Sequence, residues 1–274
     1  MDICRYTQTD QSVSLGLLDG ETVTPLDTDA TTLEAALVDH SWSDLQAATT
    51  DDELLLDDLT LLAPVARPTN LVGIGLNYAG HAEEGGFPIP DEPLFFAKSP
   101  SSIVGPGADI VKHPEVTELH YEGEFGFVIG KETSRVDEAD ALDHVFGFVV
   151  GNDVTARDMQ MGDLDGSNPW YRSKSMDTFT PLGPWVTPVG EGVDPMGAAI
   201  ETRLNDEVVQ SSNTDDHIFP IPEALAYISR HVTLYPGDVV LTGTPAGIGE
   251  MHPGDTVSVS VEGIGTLSNT VAEP

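Results

Sequence analysis

Apolar and polar residues alternate along much of this chain with a period of two, the spacing of half-buried β-strands. Thr256-Val257-Ser258-Val259-Ser260-Val261 alternates strictly, and Ile200-Glu201-Thr202-Arg203-Leu204 does so up to the turn Asn205-Asp206-Glu207. Residues 145–150 form an unbroken apolar run and read as a buried strand. Residues 71–76, 94–97 and 239–242 are further strand candidates. Helical spacing is scarce. Its best case is 222–232, with Pro222 at the start and Leu225, Ile228 and Val232 near one face. Glycine and proline punctuate the strands, and neither a regular βαβ alternation nor an internal repeat is present. The pattern predicts an α+β fold dominated by a mixed sheet.

Residues 1–65 differ from the rest. Segments 12–18 and 21–26 read as a hairpin turning at Asp19-Gly20, and 32–38 and 51–56 fit short helices. We expect a small N-terminal α/β unit here, acting as scaffold or interface, followed by a catalytic domain over 66–274. A chain of 274 residues can bury one substantial core plus such an accessory unit.

Charge changes how every acid must be read. There are 46 acidic and 11 basic residues, a formal charge of −35, and the acids are scattered along the chain. Self-repulsion of that size destabilises a compact domain in dilute buffer and is screened in molar salt. The composition therefore suggests a cytoplasmic protein of a salt-accumulating halophile, and clustered cations for nucleic-acid binding are missing. No stretch approaches a membrane span, and the first residues lack a signal peptide's apolar run. The single cysteine, Cys4, excludes an intramolecular disulfide. Only four lysines occur, Lys98, Lys112, Lys131 and Lys174, so each survivor is informative.

Three carboxylates stand out against this background. Glu122 and Glu124 are two apart in His120-Tyr121-Glu122-Gly123-Glu124, so on a strand they share a face. Asp153 follows the run at 145–150. Buried together they would repel unless a hard dication joined them, and an all-oxygen donor set favours Mg²⁺ or Mn²⁺, with Ca²⁺ also compatible. Three unrelated surface acids would give the same spacing. His81 and Glu84 are neighbours if 77–84 is helical, a pairing able to activate water or to be a plain surface contact. Arg157, with Gln160 one turn along, could clamp a substrate carboxylate or simply pair with Asp158 or another acid. Lys174, among small polar residues, could hold an enolate oxygen or be solvated. The turn at 243–249 offers backbone amides and the Thr244 hydroxyl to an anion, without the Lys-Ser/Thr of a P-loop. His113, His120 and His217 read as structural or solvated.

Taken in order, the segments Gly75-Leu76-Asn77-Tyr78-Ala79-Gly80-His81, Tyr121-Glu122-Gly123-Glu124, Gly151-Asn152-Asp153-Val154-Thr155-Ala156-Arg157-Asp158, Lys174-Ser175-Met176-Asp177-Thr178-Phe179, Pro181-Leu182-Gly183-Pro184 and Leu241-Thr242-Gly243-Thr244-Pro245-Ala246-Gly247 resemble the motifs of the fumarylacetoacetate hydrolase family over about residues 68–271. The resemblance implies a mixed β-sandwich roll, a Mg²⁺ or Mn²⁺ site and a homodimer. It maps the metal ligands to Glu122, Glu124 and Asp153 and the water-activating dyad to His81 and Glu84. Lys174 matches the lysine beside the metal, and Arg157, Gln160 and Thr244 match positions lining the substrate pocket. Lys98 sits where the family often carries a lysine and receives no catalytic role. Departures are Gly80, Gly123, Met176 and the segment Asp215-Asp216-His217; none removes a ligand.

The family likeness implies a small 2-oxo acid substrate and, first, hydrolysis of a C–C bond of acylpyruvate or fumarylacetoacetate type. Hydroxymuconate-type isomerisation or decarboxylation, oxaloacetate decarboxylation or tautomerisation, and dehydration of a 2-keto-3-deoxy sugar acid use the same chemistry and stay open. A metal-stabilised binding protein without activity is the non-enzymatic alternative, and the His81–Glu84 pair argues against it.

Overall fold

In the computed structural model, which describes residues 1–8 and 11–274, two neighbouring strands organise the chain. Gly123–Ile129 and Val145–Asn152 pair antiparallel, and every residue of both is buried. Their side chains alternate between two cores, as strand geometry requires, with the phase of the second strand shifted by one at the bulge around Phe146. Phe125, Phe127, Ile129, Phe148 and Val150 point into one, with Ile200, Leu225, Ile228 and Val259. Val128, Phe146 and Val149 point into the other, with Ile3, Leu15, Leu17 and Leu33. Burying each such side chain stabilises the fold by roughly 1.5–3 kcal/mol before the entropy of ordering is set against it.

The first core is closed by the helix Ile221–His231 and by a five-stranded sheet that includes Ala199–Leu204, Thr256–Val261 and Gly265–Ala272. The helix presents Leu225 and Ile228 inward, one position earlier at each end than the sequence reading. The second core is closed by the N-terminal segment. Its strands Asp2–Thr7, Val13–Asp19 and Thr22–Pro25 extend the central sheet, joining it where Ile3 pairs with Val186. The architecture is α+β: a 12-stranded and a five-stranded mixed sheet, a small three-stranded antiparallel sheet and few helices.

One element departs from expectation. Residues 51–56 are not helical: Leu54–Leu55 pairs with Thr22 and Val23 and is followed by a 3₁₀ turn, Leu56–Asp58. The helix lies earlier, at Trp42–Ala47. Ser41 caps it by accepting from the Asp44 amide, and the Asp44 carboxylate accepts from Ser41 in return. That reciprocal box is the start signal, whereas three successive leucines have no helical period.

Strand order brings four chain segments to one end of the central sheet. Gly123 lies opposite Asn152, so Glu122 and Asp153 are the next residues outward on adjacent strands, and the Asp153 amide donates to the Glu122 carbonyl at 2.8 Å. Val239–Leu241 lies antiparallel to Gly126–Val128 and parallel to Leu71–Gly73. The turns after Leu241 and after Gly75 therefore open over the same end.

Candidate active site

Glu122, Glu124 and Asp153 converge. Each offers an oxygen within 4.8 Å of the others, and all three are 3% exposed or less. Burial and the charges of Asp153 and Glu122 push the Glu124 carboxyl well above the usual range. Its one hydrogen bond is from the Gly243 amide, at 2.7 Å. Burial also acts to raise Glu122, but Lys174 and Arg157 outweigh it and hold that carboxyl well below its ordinary value.

Three cations surround the acids. Lys174 Nζ donates to Glu122 Oε2 and Asp153 Oδ2, each at 2.6 Å, and lies 5.4 Å from the Phe96 ring centroid. Arg157 bonds to Glu122 and to Gln160, so it is tied to the ligand cluster rather than to Asp158, whose carboxylate instead accepts from Thr117. The third is Lys98, which the sequence reading set aside. Its ammonium donates to Asp153 Oδ1 at 2.5 Å, to the Lys174 carbonyl, and to the Phe179 carbonyl at 3.2 Å. Lys98 thereby orients Asp153 and the backbone of Lys174 together. Burial lowers the Lys98 pKa against the opposing pull of Asp153, whereas for Lys174 the attraction of Asp153 and Glu122 overcomes burial and raises it.

His81 and Glu84 lie on the short helix Ala79–Glu84, with Nδ1 3.7 Å from Oε2. Leu76, at φ 55°, turns the chain from strand to helix. Asn77 locks that turn by donating to the Phe219 and Thr242 carbonyls and accepting from the Phe219 amide. Burial lowers the His81 pKa, with Glu122 acting the other way, so the ring is neutral at pH 7. Glu84 is held from behind: the Gly247 amide donates to its carboxylate at 3.1 Å. The turn expected to receive a substrate anion thus receives Glu84. The Thr244 hydroxyl is also committed, donating to the Gly123 carbonyl and accepting from Gln210.

All nine residues singled out in the sequence are in or beside one cavity of about 250 Å³; Glu84 alone is not on its wall. The acids, Lys174 and Arg157 form its floor. Phe87, Met161, Leu164 and Trp170 make an apolar side, and His120, expected to be structural or solvated, is on the wall as well.

Residues 70–272 match the family model described as fumarylacetoacetate (FAA) hydrolase C-terminal. The chain belongs to the fumarylacetoacetate hydrolase family. Residues 1–64 match a second model, Rv2993c-like, N-terminal. Over 221 residues the chain is 43% identical to the mitochondrial oxaloacetate tautomerase FAHD2A of Bos taurus, covering 78% of this chain and 70% of that one. Two solved structures cover it completely and are covered completely by it, each at 34% identity. They are a 5-carboxymethyl-2-hydroxymuconate delta-isomerase from Mycobacterium smegmatis (TM-score 0.85) and a fumarylacetoacetate hydrolase from the psychrophile Exiguobacterium antarcticum (TM-score 0.88).

Members of the fumarylacetoacetate hydrolase family are enzymes that typically use a divalent metal, and the residues here fit one. Three converging carboxylates form a hard, all-oxygen donor set. Glu124, raised by burial and by its two acidic neighbours and, among the described residues, unpaired with any cationic side chain, is the member whose ionised form a dication would restore. Among the described residues no helix is long and apolar enough to cross a membrane.

Proposed function

We propose that the chain is a divalent-metal-dependent enzyme that interconverts the keto and enol forms of a short 2-oxo acid. The observation that carries this reading is the pairing, in one small cavity, of a half-buried neutral histidine with an ammonium fixed among carboxylates. A dication held by Glu122, Glu124 and Asp153 would supply Lewis acidity to the carboxylate and keto oxygens of such an acid, making the adjacent C–H acidic. His81 accepts the proton from that carbon, and Glu84 stabilises the imidazolium that results. Lys174 donates to the keto oxygen as negative charge collects there. His81 then delivers the proton to that oxygen, and the two steps sum to tautomerisation. A cavity of about 250 Å³ suits a substrate of a few carbons, and the tautomerase and isomerase activities in the names of its relatives are of this class.

Hydrolysis of an acylpyruvate C–C bond is the second reading. It is favoured by the apolar side formed by Phe87, Met161, Leu164 and Trp170, which suits an acyl tail. There His81 would deprotonate water instead of carbon.

The test is turnover of oxaloacetate enol and of an acylpyruvate with Mg²⁺ or Mn²⁺, comparing wild type with Glu124→Gln. This substitution keeps shape and removes one anionic ligand. Both activities should fall to background even at saturating metal. Unchanged turnover in Glu124→Gln would remove the metal from the mechanism.

A further inference from the structure

One residue of the cavity wall has no part in the reaction just described. His120 lies on the strand Leu119–Tyr121, whose other two residues are buried in an apolar cluster with Val154, Phe179 and Met251. The period of two turns His120 the opposite way, onto the face that Glu122 continues. Pairing of its backbone with Thr155 and Glu250 fixes it there. The Arg157 amide, donating to the Glu118 carbonyl at 2.8 Å, brings the helix Arg157–Asp165 alongside.

His120, Glu122 and Glu124 all line the cavity, at every second residue across the junction between the strands Leu119–Tyr121 and Gly123–Ile129, and form a row in that order. The metal-binding acids occupy the inner two places. A substrate whose 2-oxo acid head lies at the acids would extend its tail along the row toward His120. That tail meets few polar groups. Phe87, Met161, Leu164 and Trp170 can offer it no hydrogen bond through an anionic acceptor's preferred N–H donors except the indole of Trp170. Among the described residues three lining side chains each hold a buried polar atom without a hydrogen-bond partner, His81 Nδ1 in the dyad and, at this end, His120 Nδ1 and Arg157 Nε. Native structures rarely leave such atoms unpaired, and here all three belong to residues lining a cavity.

We infer that His120 determines specificity for the substrate's tail, its ring hydrogen-bonding the distal carboxylate of a short 2-oxo diacid while Arg157 supplies the neighbouring positive charge. The inference rests on the proposed placement of the 2-oxo acid head at Glu122, Glu124 and Asp153. It separates diacids from acylpyruvates with a methyl-terminated tail, which His120 cannot reward.

Calorimetric binding in Mg²⁺, without turnover, tests it with three probes: oxalate, which is head alone, malate, and 2-hydroxybutyrate, in which a methyl replaces malate's distal carboxylate. The wild type should prefer malate to 2-hydroxybutyrate. In His120→Leu that preference should fall tenfold or more with oxalate still bound, and His120→Gln, which keeps a donor, should recover most of it. His120→Ala gives the same comparison if the leucine variant does not fold. An undiminished preference for malate in a variant that binds oxalate overturns the role of His120 alone. Failure of the wild type to bind oxalate overturns the placement of the head, and this assignment with it.

Discussion

His81 is the residue on which the chemistry turns, and its environment sets a sign for the pH dependence. Burial lowers its pKa below the ordinary 6.5. A dication at the nearby acids would lower it further by repelling the imidazolium. The reactive form is neutral, so log kcat should be flat above pH 6.5 and fall on the acid side through a pKa below that value. His81→Ala should lose this limb and about 10²-fold in kcat, the usual scale of a general base. Its metal affinity should stay at the wild-type level, measured by calorimetry. An unchanged acid limb in His81→Ala would assign the titration to another group. His81 and Glu84 were legible in the sequence because one helical turn brings i and i+3 together. Lys98 and His120 were not, for different reasons. Lys98 reaches Asp153 across 55 positions of chain, and only the scarcity of lysine pointed to it. His120 stands two residues before Glu122, and a strand period places its side chain on that face without saying what it meets there.

At the scale of elements, strands were read well because their alternation survives in each segment without knowledge of partners. The pairing of distant strands was not readable, and it is the pairing that builds the site. The turn after Val239–Leu241 illustrates what that assembly demands. Gly243 has φ +97°, and its amide donates to Glu124. A Cβ there would lie 2.9 Å from Asn77 Cβ and 3.0 Å from the Ile74 carbonyl, both in the segment that launches the His81 helix. Gly243→Ala therefore strains the backbone and presses two elements apart. It should cost about 1–3 kcal/mol, which for a chain of this size lowers Tm by several degrees. Mg²⁺ affinity should weaken as well, because Glu124 loses the geometry of its donor. Calorimetry and thermal melts measure both. A variant with wild-type Tm and Mg²⁺ affinity would mean that the turn relaxes freely. The helix error at 51–56 has the same origin: Leu54 and Leu55 were claimed by Thr22 and Val23, a contact absent from the local pattern.

For the whole molecule, electrostatics couples stability to function. In formal charge Lys98, Lys174 and Arg157 offset Glu122, Glu124 and Asp153, so the excess of 35 negative charges lies elsewhere in the chain. That excess repels itself across the surface, destabilising the folded state more than the expanded chain. Raising ionic strength from 0.1 M to 1 M shortens the Debye length from about 10 Å to about 3 Å, below the spacing of most surface charges. Thermal stability should therefore rise with KCl, steeply at first and then level off. The same field acts on the two ligands with opposite signs. It repels an anionic 2-oxo acid and attracts a dication, so salt should raise the association rate of the first and weaken the apparent affinity of the second. With metal saturating, kcat/KM should increase with KCl while kcat changes little. At limiting metal, activity should pass through a maximum as loss of the dication overtakes the easier approach of substrate. Titration to pH 4.5 protonates part of the surface and should shrink the salt gain in Tm, which separates screening from a general salting-out effect that pH would leave in place. A Tm that is level from dilute buffer to molar KCl at pH 7 would show that the surface acids are far enough apart for water alone to screen them.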